Sequence, residues 1–292
     1  MTTPHLHRPE WLKVRLGAGE TFREIKELMR GLDLHTVCEE AHCPNIGECW
    51  GHRTATFMIL GRVCTRACRY CAVETGLPQG LDIFEPQRVA LAVKRLGLKH
   101  AVITSVQRDD LPDGGASIFA ATVRRVRALN PDCTIELLIP DFKGSVSALA
   151  TVLEELPDIL NHNIETVPRL FKLARPGGRY QRSIELLRRS RQIAPSVPTK
   201  SGLMVGLGET MDEVKQTLVD LREAGVSIVT IGQYLQPSKA HLPVDRYVHP
   251  DEFAALKEYA LGLGFAHCEA GPLVRSSYHA HEQAQRAELL PR

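Results

Sequence analysis

The sequence predicts an α/β fold: a partial (β/α)6 TIM-type barrel, preceded by a cysteine-bearing N-terminal extension and followed by a C-terminal tail. Three observations carry this expectation. From Thr54 onward, apolar strand-like runs alternate with amphipathic helical runs, the pattern of repeated βα units around a parallel sheet. Six such strand runs precede residue 236, fewer than the eight that close a full barrel. Ahead of them, residues 32–53 carry three cysteines, Pro44 and two glycines without any clear period.

Taken in order, Thr21 and Glu24 have capping-box spacing, with Phe22, Ile25, Leu28 and Met29 forming an apolar stripe that Gly31 ends. The barrel strands are expected in TATFMIL, HAVITSV, TIELLIP, ILNHNIE, TKSGLMVGL and SIVTIGQYL. Between them, Val89, Val93 and Leu96, and later Val214, Leu218 and Leu221, fall at helix-face spacing. A last helix from about Pro250 to Gly264 and a strand-like FAHCEAGPLV lead into the polar tail RSSYHAHEQAQRAELLPR. The expected divisions are an extension over 1–53, a barrel over 54–264 and a C-terminal segment over 265–292.

A chain of 292 residues lies in the size range of one such barrel, so no further domain is required. The formal charge of +2 supplies no strong field for nucleic acid or a membrane surface, and neither is expected as a partner. The basic clusters at 124–127 and 188–191 fall on helical runs and read as solvated barrel exterior. The first residues lack the apolar run of a signal peptide, and no segment approaches the roughly 20 apolar residues of a membrane span. A cytoplasmic protein is therefore expected. There, eight cysteines argue for metal binding or catalysis over disulfides. Six of them crowd into residues 38–71, while Cys133 and Cys268 stand alone.

Cys64, Cys68 and Cys71 follow directly after the first barrel strand, at the end where parallel βα folds place their chemistry. Three thiolates in one loop can hold three irons of a cubane and leave the fourth open to a ligand. A structural zinc site would instead need a distant fourth ligand. The run CTRACRYC resembles the signature of the radical S-adenosylmethionine superfamily, CxxxCxxC with an aromatic residue, here Tyr70, before the last cysteine. The resemblance implies a 4Fe-4S cluster that binds S-adenosylmethionine and cleaves it to a 5′-deoxyadenosyl radical. A bed for that cofactor is expected on the strands. Asn161, Asn163 and Glu165 alternate onto one face, costly to bury without polar partners. Thr104, Ser105, Lys200 and Met204 are expected at the rim. Gly206, Gly208 and Glu209 read equally as a contact or a tight turn, and Asp109 and Asp110 as acid–base groups or an acidic turn.

Cys38, Cys43 and Cys49 supply three more thiolates from CEEAHCPNIGEC. A second cluster accounts for them, and so does zinc completed by His35 or His42. Nearly the whole chain resembles the lipoyl synthase family: TVCEEAHCPNIGECW, CTRACRYCAV, VITSVQRDDLPDGGA, NHNIETVPRL, TKSGLMVGLGE, IGQYLQP and GPLVRSSYHA carry the likeness. It implies a second 4Fe-4S cluster on Cys38, Cys43, Cys49 and Ser277 that is consumed as sulfur donor. An alkoxide, harder than thiolate, suits an iron that must be released. The implied activity inserts two sulfur atoms at C6 and C8 of a protein-bound octanoyl group. The implied partners are octanoylated lipoyl carrier domains (2-oxoacid dehydrogenase E2 or glycine cleavage H protein), an electron donor such as flavodoxin or ferredoxin, and a cluster-repair protein.

Overall fold

The computed structural model describes residues 7–13, 19–52, 54–278, 280 and 282, so most of the polar tail after Tyr278 lies outside the described residues. Its single sheet has eight strands in chain order: β1 His35–Thr36, β2 Thr56–Ile59, β3 His100–Ser105, β4 Thr134–Leu138, β5 Ile159–Asn161, β6 Thr199–Val205, β7 Ile228–Gln233 and β8 His267–Gly271. β1 is antiparallel to β2, and all later pairs are parallel. β1 and β8 end the order without pairing, so the barrel stays open. All six expected barrel strands are present, and β8 adds a seventh parallel one from FAHCEAGPLV.

Two expectations fail at the N-terminal side. Helix α1, Glu20–Gly31, begins on Gly19 without a side-chain cap, which puts Thr21 inside its first turn and leaves no capping box. The extension is also more ordered than its sequence suggests, holding β1 and two short helices, α2 Val37–Glu40 and α3 Ile46–Gly51. Tertiary packing supplies what periodicity did not: Trp50 is fully buried, its ring 4.8 Å from that of Phe22.

Helices α4 Glu85–Leu96, α5 Ala116–Leu129, α6 Val146–Leu153, α7 Pro168–Ala174, α8 Tyr180–Ile193, α9 Met211–Glu223 and α10 Pro250–Gly262 follow the strands. Local chemistry sets their ends. α4 has Pro86 in its first turn and ends at Gly97 with φ 64°, a left-handed stop open to glycine. α9 begins with a full capping box between Thr210 and Glu213. The helices bury their stripes against the outer faces of the strands, where Ile103, Ile135, Leu137, Val205 and Ile231 are fully excluded from solvent.

The alternate residues face the interior, and low in the barrel they are charged. The Glu136 carboxylate accepts hydrogen bonds from Lys200 Nζ (3.1 Å) and Asn161 Nδ2 (2.9 Å), with His100 Nε2 at 3.7 Å. Burial pushes Glu136 toward its neutral form, but Lys200, His100 and Asn161 outweigh it and hold the carboxyl below the usual range. This layer corrects two expectations. Lys200 is committed to a wholly buried ion pair with Glu136, and Asn161 to a hydrogen bond with the same carboxylate, beneath the strand ends and off the cavity wall.

Removing one partner of a buried pair strands the other charge, at a cost of about 3–5 kcal/mol. Glu136→Gln and Lys200→Met should each destabilise the fold to that extent in urea unfolding. The double variant should lose less than the sum of the two. Strictly additive losses would show that the pair does not couple.

Candidate functional site

At the carboxyl ends of the strands lies a cavity of about 690 Å³. Cys64, Cys68 and Cys71 reach its wall from the loop after β2, and Cys38 and Cys43 from α2 and the turn behind it. Ser276 and Ser277 reach it from beyond β8. Cys49, on α3, is set back from the wall, yet its thiol interacts electrostatically with those of Cys38 and Cys43. All eight cysteines are free thiols. Five of the six clustered cysteines, from two segments of the chain, therefore face one space, with Cys49 behind them.

Backbone bonds fix the loop of the barrel triad. Cys64 N–H donates to Glu74 O (2.8 Å), Thr65 N–H to Gln107 O (3.0 Å) and Cys71 N–H to Cys68 O (3.1 Å). The Arg66 and Gln107 N–H groups point at Cys64 Sγ from 3.5 and 3.4 Å, the kind of contact that tunes a cluster's potential. His241 holds the Cys71 carbonyl: Nε2 donates to that oxygen at 2.9 Å.

The other triad depends on contacts with the end of the chain. Asn45 Nδ2 donates to Leu273 O (2.7 Å), and Tyr278 Oη donates to Glu48 Oε1 (2.9 Å). The Arg275 guanidinium interacts electrostatically with Cys43, and Tyr278 with Cys49. These contacts flank Ser277 in sequence and tie the end of the chain to the extension. Gly232 on β7 permits the approach, since a Cβ there would lie 2.1 Å from Val274 O.

The donor set suits iron–sulfur clusters. Burial raises the thiols of Cys43 and Cys68, lifts Cys38 to about 11, and lifts Cys49 and Cys71 to about 12. They are thus protonated at neutral pH and would have to lose protons to ligate a metal. Among the described residues, no three His, Cys, Asp or Glu side chains are grouped to hold one ion. A structural zinc draws four ligands onto one point, whereas a cubane spreads its thiolates over separate irons.

Across the cavity, Tyr70, Thr104, Ser105, Asn163, Glu165 and Met204 lie on the wall, and Asn161 and Lys200 do not. Ser105 Oγ and Asn163 Oδ1 are buried with no hydrogen-bond partner among the described residues. Buried polar atoms are normally satisfied, so these two call for a polar ligand. Glu165 adopts φ 70°, rare for a side-chain-bearing residue, held by its N–H to Gly202 O (3.0 Å) and by Met204 N–H to its carbonyl (2.8 Å). Burial raises its carboxyl, against the pull of Arg175, Asn163 and Tyr70. Only three residues of ILNHNIE form a regular strand, and this turn aims the remainder.

Arg175 is a site residue that sequence reasoning missed. Its guanidinium lies on the wall, donates to Asn163 O (3.2 Å) and interacts with Tyr70, Glu165 and Cys68. The RPGG run around it signals only a turn. His162 is structural: Nδ1 donates to Ile139 O (2.8 Å), Nε2 lies 2.9 Å from Ser183 Oγ, and burial lowers its pKa to about 4. Glu209 accepts from the Gly206 and Leu207 N–H groups, so that segment is a turn off the cavity wall. Asp109 and Asp110 are engaged by Arg66 and Arg108.

An open parallel barrel with three cysteines after its first barrel strand defines a class. The model of the radical SAM superfamily matches residues 58–221, and the chain belongs to that superfamily, which carries an iron–sulfur cluster and S-adenosylmethionine. Methylornithine synthase shares the fold, with a TM-score of 0.55 and 13% identity, covering 84% of this chain and 70% of that one. The model for the N-terminal domain of lipoyl synthase matches residues 1–43. The lipoyl synthase of Rubrobacter xylanophilus is 63% identical over 280 residues, 96% of this chain and 87% of that protein. The lipoyl synthase of Halalkalibacterium halodurans is 61% identical over 286 residues, 98% of this chain and 94% of that protein. Within the superfamily, the chain belongs to the lipoyl synthase family.

Because a methyl group at position 232 would meet backbone, Gly232→Ala should displace the segment bearing Ser277. After anaerobic iron loading, the folded variant should hold less iron than wild type. Iron content equal to wild type would show that Gly232 does not set that approach.

Proposed function

We propose that this chain is a sulfur-inserting enzyme of lipoate biosynthesis in the cytoplasm, acting at C6 and C8 of an octanoyl group on a lipoyl carrier domain. The observation that carries the reading is the convergence of Cys38, Cys43, Cys64, Cys68, Cys71 and Ser277 around one cavity, with Cys49 behind them, an arrangement that suits a radical source and a sulfur source serving one acyl chain. With 4Fe-4S clusters and S-adenosylmethionine bound, the cofactors supply hydrogen-atom abstraction from unactivated carbon and the sulfide to replace it.

The chain's own residues bind and orient. Cys64, Cys68 and Cys71 would hold the cluster that takes S-adenosylmethionine, and Cys38, Cys43, Cys49 and Ser277 the second. Arg175 offers a cation for a carboxylate, while Glu165, Asn163 and Ser105 offer acceptors for an ammonium or hydroxyls. Val37, Ile46, Met58, Val106, Leu138 and Ile139 give the cavity an apolar lining that suits an alkyl chain and excludes water. The carrier would be an octanoylated E2 or H-protein domain, and a flavodoxin or ferredoxin would supply electrons. Consumption of the second cluster calls for a repair protein. No helix of the described residues is long and apolar enough to cross a membrane.

Mass spectrometry of an octanoylated lipoyl-domain peptide after one turnover should show gained sulfur. Replacing Cys68 with Ala should abolish 5′-deoxyadenosine formation. Cys43→Ala should leave that cleavage intact and stop sulfur insertion. If Cys43→Ala also stops cleavage while the barrel cluster is present, the two triads do not divide the work in this way.

A further inference from the structure

Arg66 lies inside the barrel-triad loop, between Cys64 and Cys68, yet its side chain turns away from the cavity and is 5% exposed. Its guanidinium makes two complete forks. Nε and Nη2 donate to Asp109 at 2.7 and 3.0 Å, and Nη1 and Nη2 donate to Asp141 at 3.0 and 2.8 Å. Asp109 follows β3 and Asp141 follows β4, so one side chain ties the loop to two neighbouring strand ends. Backbone contacts already sew the loop to the β3 side, through Thr65 and Gln107. The tie to the β4 side runs through the Arg66 guanidinium.

The partner is itself held in place. Asp141 is wholly buried and also accepts from Arg182 Nη1 (3.1 Å) and from Lys143 N–H (3.1 Å). That second bond closes a turn in which Phe142 and Lys143 have φ 44° and 52°, left-handed at two consecutive residues that carry side chains. Such a turn persists only where its surroundings over-determine it. A buried ion pair is weak evidence of stabilisation, because apolar replacements often serve as well. A guanidinium fork, by contrast, fixes orientation as well as distance.

We propose that Arg66 is a positioning residue: clamped by Asp109 and Asp141, it sets the orientation of the Cys64–Cys71 loop relative to the bed formed by Asn163, Glu165 and Arg175. The inference rests on the reading that this triad holds the cluster that binds S-adenosylmethionine. Asp109 thereby gains a function in the clamp, neither acid–base catalysis nor simple turn formation. Arg66 contacts no reacting atom and acts through the cysteines beside it.

The test is Arg66→Lys in the full chain, which keeps the charge and loses the double fork. After anaerobic iron loading, the variant should fold and keep wild-type iron content. Addition of S-adenosylmethionine should produce an altered change in the electron paramagnetic resonance spectrum of the reduced cluster. Cleavage to 5′-deoxyadenosine should fall about 10- to 100-fold, the range for residues that orient metal ligands. A spectral response and cleavage rate equal to wild type overturn the proposal. Should Arg66→Lys fail to fold, Asp109→Asn, which leaves the Asp141 fork in place, decides by the same two readouts: an altered response supports the clamp and an unaltered one overturns it. A wild-type chain that binds no iron and leaves S-adenosylmethionine uncleaved sinks the underlying cluster reading instead, and the two failures are thereby distinct.

Discussion

A strand sends successive side chains to opposite faces, and in a parallel sheet covered by helices the face turned away from the helices is enclosed by the barrel itself. Every polar residue that this chain places on that inner face must find a partner in a confined space. Low in the barrel the partners are protein groups, Glu136 with Lys200 and Asn161. At the strand ends, Asn163 keeps a buried oxygen without a partner among the described residues. The same alternation therefore yields an ion-paired layer as a floor and, above it, polar residues on the cavity wall. Geometry along the strands separates structure from function.

Because the sheet stays open, the ends of the chain can wall the cavity. The extension enters through β1, paired antiparallel on the outer side of β2, and α2 and α3 carry its cysteines. The end of the chain returns past β8 and is drawn across by Asn45, Glu48 and the bare face of Gly232. The meeting of the two ends over the strand ends makes one cavity from segments more than two hundred residues apart.

Burial gives these thiols their chemistry. Desolvation raises Cys38, Cys49 and Cys71 to between about 11 and 12, so a metal bound by them would displace protons. Arg175 and Arg275 bring cations to the same region, one beside Cys68 and the other beside Cys43. Each cation sits where cysteine thiolates would gather negative charge.

The six barrel strands, the loop in which Cys64, Cys68 and Cys71 lie, and the family likeness that pointed to Ser277 were legible in the chain alone. Period-two apolar runs and close cysteine spacing are local properties, legible wherever neighbours in sequence act together. Alternation also placed Asn161, Asn163 and Glu165 on one face, but could not tell how deep each would sit. Depth decided that Asn161 and Lys200 belong to the floor, while Asn163 and Glu165 face the cavity. Arg175 and the Arg66 clamp were invisible for the same reason: an arginine's partner is set by contacts across long stretches of chain. A side chain's burial and its counter-charge exist only once distant segments have packed together, and only the tertiary structure supplies them.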